Sequence, residues 1–240
     1  LVIGRRSIRP SSLNPMAKYV TANSLDPFFF EKVFGDCSEV IDLAYSTVPT
    51  TSFDDPVKDI LANLPFAVTL IKAAVARNVL RYLVLSSGGT VYGKAHHLPI
   101  EENHPTNPIS PYGITKLAVE KYALMYHQLS GLPIIIIRPS NPYGPNQYGN
   151  RGQGFIGTAI FRILRNEEVV IFGDRGNVRD YIFVDDLAEG IVAALNHGVP
   201  GEIYNCGTGI GLDNQNILDE IFSIIGHNFR SDRIVLKAAR

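Results

Sequence analysis

Four consecutive isoleucines, Ile134 to Ile137, lie inside the run Leu132 to Pro139 and constrain the fold more than any other feature. The run is far too short to span a membrane, and side chains along a strand alternate between its two faces. A strand that is apolar throughout is therefore buried on both sides, as in a parallel sheet covered by helices on each face. The rest of the chain repeats the pattern. Leu1 to Ile3, Glu39 to Ala44, Arg81 to Leu85, Val169 to Phe172 and Tyr181 to Val184 read as further strands. Lys58 to Arg77, Tyr112 to Leu129 and Asp186 to Asn196 read as helices, with Gly131 as a stop and Asp185 as a cap. Ser86, Ser87, Gly88 and Gly89 read as a small-residue turn. The alternation specifies the α/β class, a doubly wound parallel sheet.

A chain of 240 residues fits one domain, or one domain with a smaller lobe. Its 45% hydrophobic and 19% charged residues exclude a disordered chain. A net charge of -1 excludes a generally basic nucleic-acid binder. Cys37 and Cys206 are too few for a disulfide framework or a four-thiolate zinc site, so they read as free thiols of a reducing, cytoplasmic compartment. His96 and His97 have no further ligand at metal spacing, and no metal is expected. Neither a leader nor a membrane-spanning run is apparent, and the opening residues LVIGRRS read as the end of a strand. The natural N-terminus is therefore expected upstream of Leu1.

Gly152, Gly154 and Gly157 spell GxGxxG, but that motif serves a dinucleotide only directly after a strand and at a helix N-terminus. Here the preceding strand ends well before it. Tyr143 to Gly157 is better read as a long loop entering a helix. A dinucleotide-binding version of this fold would thus carry its phosphate loop before Leu1. Its second strand would end at Gly4, Arg5 and Arg6, where an Asp or Glu ordinarily reads the adenosine 2′-hydroxyl. Two guanidiniums there suit a 2′-phosphate, the alternative being a solvated basic loop.

Tyr112 and Lys116 stand four apart at the start of a helix and project from one face. A phenol with an ordinary pKa near ~10 is a poor base at neutral pH. A neighbouring ammonium and a positively charged nicotinamide ring would draw it toward the working range. Tyr112 would then take a proton from a sugar or alcohol hydroxyl while hydride leaves the same carbon.

The pieces SSGGTVYG (86–93), YGITK (112–116), RPSNPYGP (138–145), GNVRDYIFVDDLAEGI (176–191) and YNCGTG (204–209) together resemble the extended short-chain dehydrogenase/reductase family of nucleotide-sugar epimerases and dehydratases, on the UDP-glucose 4-epimerase branch. The resemblance runs from Leu1 to Arg240. It implies a Rossmann-like domain over 1–142 and 180–207, and a smaller nucleotide-sugar lobe over 143–179 and 208–240. It further implies Tyr112 as catalytic base and Lys116 as the residue that binds the nicotinamide ribose and tunes it. Leu43, Ala44 and Tyr45 match the cofactor turn, Asn63 and Ser86 match polar cofactor contacts, and Pro139 sits beside the nicotinamide; Arg5 and Arg6 complete that set. Asn141 and Arg179 match diphosphate ligands and Phe172 the uracil neighbour, with a plain ion pair to Asp180 or Asp174 as the alternative for Arg179. The implied cofactor is NAD or NADP and the partner a UDP-sugar, with neither nucleic acid nor membrane, in a homodimer built on helices 58–77 and 112–129.

Two departures stand out. The family's Ser or Thr before VYG is here Gly88, and Thr90, of the same parity along an extended backbone, is the expected substitute ahead of Ser87. Dehydratases carry an Asp-Glu pair where this chain has Gly89 and Thr90, which removes the elimination chemistry. The remaining rivals to an epimerase are an NADP-dependent 4-keto sugar reductase and a non-catalytic nucleotide-binding protein of the same fold.

Overall fold

The computed structural model describes residues 1–22, 26–35, 37–147, 149, 153–225 and 233–238. In chain order the elements are β1 (Val2–Gly4), β2 (Tyr19–Thr21), α1 (Pro27–Phe34), β3 (Glu39–Asp42), α2 (Pro49–Asp54), α3 (Pro56–Ala76), β4 (Arg81–Leu85), α4 (Gly88–Val91) and α5 (Pro111–Ser130). They continue with β5 (Ile134–Pro139), β6 (Asn141–Tyr143), α6 (Phe155–Leu164), β7 (Val169–Phe172), β8 (Arg179–Phe183), α7 (Val184–His197), β9 (Ile203–Cys206), β10 (Gly211–Leu212), α8 (Asn214–Ile225) and β11 (Ile234–Lys237). The central sheet has the order β3-β4-β5-β9 and is parallel throughout. β1 and β2 form a separate parallel pair. β6, β8 and β10 make a small mixed sheet, and β7 pairs in parallel with β11.

The isoleucine run explains the layering. Ile134 and Ile136 join the core shared with Phe30 of α1, Leu70 and Ile71 of α3 and Val119 and Ala123 of α5. Ile135 and Ile137 point the other way, against Leu195 of α7. All four are at most 1% exposed, and burial of each such side chain contributes about 1.5–3 kcal/mol. β4 follows the same alternation, with Tyr82 and Val84 on the first side and Leu83 on the second. A further core gathers α6, β7 and α8 around Ala159, Ile163, Ile171 and Leu218.

Local signals set the helix that matters most for function. Pro111 opens α5, the Ser110 side chain accepts the Gly113 N–H, and Gly131 ends it at φ 68 with its N–H on the His127 carbonyl. α3 lies alongside, its inner face turned to the core and its outer face carrying exposed Val57 and Leu61. By length and composition α3 is apolar enough to cross a membrane, and 39% of its most apolar window is buried within the fold.

Three local expectations need correction. Asp185 does not cap α7, which starts at Val184 after Phe183 with no side-chain cap bond; Asp185 and Asp186 lie in the first turn, where the dipole favours them. The turn after β4 winds into the helical α4. The segment 143–157 is not loop throughout, because β6 and α6 claim its ends. Gly152 lies outside the described residues. Gly154 sits at φ 82, which favours glycine, and a Cβ at Gly157 would crowd the Gln147 side chain, so local conformation and packing account for the two glycines.

Candidate active site

Most of the expected site residues lie where the strands of the central sheet end, the edge at which open α/β sheets hold ligands. After β3, the turn bearing Leu43, Ala44 and Tyr45 is pinned from behind by α3. Asn63 Oδ1 accepts the Ser46 N–H at 2.7 Å, and its Nδ2 donates to Thr47 Oγ1 at 3.0 Å and to the Asp59 carbonyl at 2.7 Å. The Thr47 hydroxyl donates in turn to the Asp59 carboxylate. Asn63 thus spends its amide on shaping this turn. From the end of β1, Arg5 reaches across to donate to Ser46 Oγ at 2.9 Å. Arg6 is held by its carbonyl, which accepts from Tyr19 and Thr21 hydroxyls at 2.9 and 3.0 Å, and its side chain is exposed. Arg5 is exposed, and its bond to Ser46 ties it to the turn after β3.

Tyr45 and Tyr112 meet edge to face, 4.8 Å between ring centroids at 66°. Lys116, one helical turn beyond Tyr112, does not reach for the phenol. Its Nζ sits 4.1 Å from the Tyr45 ring centroid and 5.9 Å from that of Tyr112, and donates to the Leu85 carbonyl at 2.7 Å. Burial pulls the ammonium down to about 8, against the opposing influence of Asp42, Glu120 and Asp59. The Tyr112 phenol is pushed up to about 12, first by burial and then by Asp59. In the chain alone the phenol is protonated at neutral pH and the lysine is charged.

The turn after β4 holds the third predicted catalytic residue. A Cβ on Gly88 would stand 2.9 Å from the Pro139 carbonyl oxygen and 3.1 Å from that of Arg138, so β5 excludes any side chain here. The parity argument for Thr90 does not survive, because residues two apart in a helical turn lie roughly 200° round the axis from each other. Thr90 Oγ1 is nevertheless buried and without a hydrogen-bond partner among the described residues, as is Ser140 Oγ beside Asn141. Ser87 is extended, at φ -154, and makes no cap bond. The Ser86 hydroxyl turns away and donates to Glu120.

Pro139 ends β5 buried, and the Asn141 amide donates to the Asp180 carbonyl at 3.3 Å. Arg179 opens β8 exposed; it donates to the Val178 carbonyl at 2.8 Å and forms no ion pair among the described residues. Its neighbour Asp180 accepts from Thr208 N, Thr208 Oγ1 and Gly209 N, at 3.0, 2.8 and 2.8 Å. The ion-pair alternative for Arg179 is not realised. Phe172 ends β7, half-buried. Arg5, Tyr45, Asn63, Tyr112 and Lys116 thus come together as one cluster. Thr90, Pro139 and Asn141 line the adjoining strand ends, and Phe172 and Arg179 stand on strands beyond them.

Sequence reasoning missed Asp42, Asp59, Glu120 and Arg138, all buried here. Helical spacing offered a signal: Asp59 precedes Asn63 by one turn, and Glu120 follows Lys116 by one turn. A single arginine ending an otherwise apolar strand was another, since a buried guanidinium demands a partner. The histidines make no metal site among the described residues. His104 instead accepts the His96 N–H on Nε2 at 3.0 Å and meets the Pro105 carbonyl through Nδ1 at 2.8 Å.

Comparison with known proteins adds independent support. Residues 1–207 match the model of the NAD dependent epimerase/dehydratase family. A protein of Methanocaldococcus jannaschii provisionally named UDP-glucose 4-epimerase is 36% identical over 227 residues, 93% of this chain and 72% of that protein. The crystal structure of Thermotoga maritima UDP-glucose 4-epimerase with UDP-glucose superposes with a TM-score of 0.91 at 30% identity, covering 99% of this chain and 77% of that one. Thermus thermophilus UDP-glucose 4-epimerase in complex with NAD gives 0.85 at 28% identity, over 97% and 75%. With a family match over residues 1–207, this chain belongs to the NAD dependent epimerase/dehydratase family.

Proposed function

We propose that the chain is a nucleotide-sugar 4-epimerase acting on a UDP-hexose with NAD as cofactor. The observation that carries this reading is the Tyr45–Tyr112–Lys116 cluster at the strand ends, next to a turn that holds no acid–base pair for elimination. The buried, unpartnered hydroxyls of Thr90 and Ser140 fit ligands rich in hydroxyl and amide groups. Arg5, the 43–45 turn, Lys116 and Pro139 would hold NAD, which when bound supplies a reversible hydride acceptor and a positive charge. Asn63 and Ser86, engaged by the 46–47 segment and by Glu120, would act by shaping the walls of its site. Tyr112 takes the proton of the sugar 4-hydroxyl as carbon 4 is oxidised. Thr90, or failing it Ser87, hydrogen-bonds the reacting oxygen. The 4-keto sugar turns over so that the hydride held by the cofactor would return to the other face of carbon 4, and Tyr112 gives the proton back to the oxygen. Asn141 and Arg179 hold the diphosphate, and Phe172 lies against the uracil. The separate core of α6, β7 and α8 supports a substrate lobe over 143–179 and 208–240 beside a cofactor domain over 1–142 and 180–207.

Incubation of UDP-glucose with the protein and NAD tests the reading. UDP-galactose should accumulate to a constant ratio without net change in cofactor absorbance. Stoichiometric loss of NADPH would instead select the reductase, and absence of any turnover in cofactor-loaded protein would remove the enzyme.

Arg179 supplies a sharper test. Its exposed guanidinium has donors to spare beyond the one given to the Val178 carbonyl and can make charge-assisted bonds. Arg179→Ala should therefore weaken UDP-sugar binding by roughly 10-fold to 150-fold. NAD affinity should stay as it was. Calorimetry showing the reverse pattern would reassign this arginine to the cofactor.

Arg5 and Arg6 support a further feature, acceptance of NADP at least as readily as NAD. Titrations with both cofactors, repeated on Arg5→Ala and Arg6→Ala, would show NAD far ahead and unaffected by either change if the basic pair plays no part. We also place the protein in the reducing cytoplasm, in keeping with free Cys37 and Cys206. The homodimer would use α3 and α5, whose outer faces expose Val57, Leu61, Ile114 and Leu129. A sedimenting mass of one chain would dismiss it.

A further inference from the structure

Glu120 and Arg138 are 1% and 3% exposed and pair through two contacts, Nε to Oε1 at 3.0 Å and Nη2 to Oε2 at 2.7 Å. Burying such a pair gains little net stability, since desolvation offsets most of the attraction. What the pair holds is more telling. Glu120 Oε1 also accepts the Ser86 hydroxyl, at the start of the turn after β4. Arg138 Nη1 donates to Tyr92 Oη at 2.9 Å, just past the end of that turn, and the guanidinium carbon lies 4.7 Å from the Tyr92 ring centroid. Tyr92 Oη donates onward to Asn205 Oδ1 of β9 at 2.7 Å. The segment 86–92 is therefore clamped at both ends by one ion pair. Glu120 rides on α5, one helical turn beyond Lys116 and two beyond Tyr112.

We propose that Glu120 and Arg138 are positioning residues that fix the 86–92 turn, with Ser87 and Thr90 on it, in register with Tyr112 and Lys116. This rests on the epimerase reading for its kinetic consequence, although the clamp itself does not. Neither residue touches the reacting atoms. Each acts through Ser86 or Tyr92, and through α5.

The test replaces the pair with apolar side chains of similar volume, Glu120→Leu with Arg138→Met, a change that buried ion pairs commonly tolerate without loss of stability. The double variant should melt near the wild type. Amide exchange should accelerate about 10-fold or more in residues 87–91, while β4 and β5 keep their protection. In cofactor-loaded protein kcat should fall by about 10- to 100-fold with little change in KM, the cost of a misplaced turn. A folded double variant with unchanged exchange and unchanged kcat would overturn the proposal, as would acceleration spread evenly over the sheet. Should the double variant not fold, Tyr92→Phe removes a single hydroxyl from the clamp and must loosen 89–92 selectively; unaltered exchange there overturns the proposal equally. A wild type that turns over no UDP-hexose would sink the epimerase reading, and the exchange data would still decide the clamp.

Discussion

Tyr112→Phe is expected to slow the interconversion of UDP-glucose and UDP-galactose by about 10²- to 10⁴-fold, the range for removal of a general acid–base group. Nucleotide-sugar and NAD binding should stay close to wild type, because only the phenolic oxygen is lost. The ring remains to pack on Tyr45. Full activity in the variant would take Tyr112 out of the chemistry. The phenol pushed up to about 12 sharpens the expectation, because the unliganded site should show no phenolate near neutral pH. Ultraviolet titration should register phenolate at lower pH once oxidised NAD is bound, and Tyr112→Phe should abolish that signal.

Lys116→Met should also cost about 10²- to 10⁴-fold at neutral pH, by removing the cation that favours phenolate. Its pH dependence identifies the group. Lys116 titrates at about 8 in the fold against 10.5 in the unfolded chain. Between those values the unfolded chain holds more protons at this position, so stability measured against Lys116→Met should rise with pH. Turnover of the wild type should fall over the same interval, as the ammonium is lost. Denaturant unfolding and rate measurements on both proteins, below and above about pH 8, should thus move in opposite directions. Parallel movement would place the titration on another group.

The sheet was readable from the sequence because two-sided burial leaves no choice of residue. Ile134 to Ile137 admit a strand between two helical layers and little else, and their split between two cores follows from the period of two. Tyr112 and Lys116 were readable from helical spacing, since two residues one turn apart share a face wherever the helix lies. What joins them was not. That Lys116 rests on Tyr45 depends on the closeness of two strand ends, set by the register of β3 on β4 and by the packing of α3 on α5. The Thr90 parity argument failed because Gly88 and Gly89 permit a helical turn that composition alone does not announce. Beyond their spacing from Asn63 and Lys116, nothing in the local sequence of Asp59 or Glu120 marks them as buried, and only tertiary packing removes both from water.

α3 carries apolar residues both on the face packed in the core and on its exposed face, where Val57, Ile60 and Leu61 stand. Length and hydropathy alone do not separate Pro56 to Ala76 from a membrane-spanning segment, and packing within the fold is what makes it a core helix. Its correct fate depends on how soon the 134–139 strand arrives, because β5 lies later in the chain and completes the cradle α3 occupies. A chain cut before β5 would leave that apolar surface of α3 uncovered, and aggregation is the outcome expected of it.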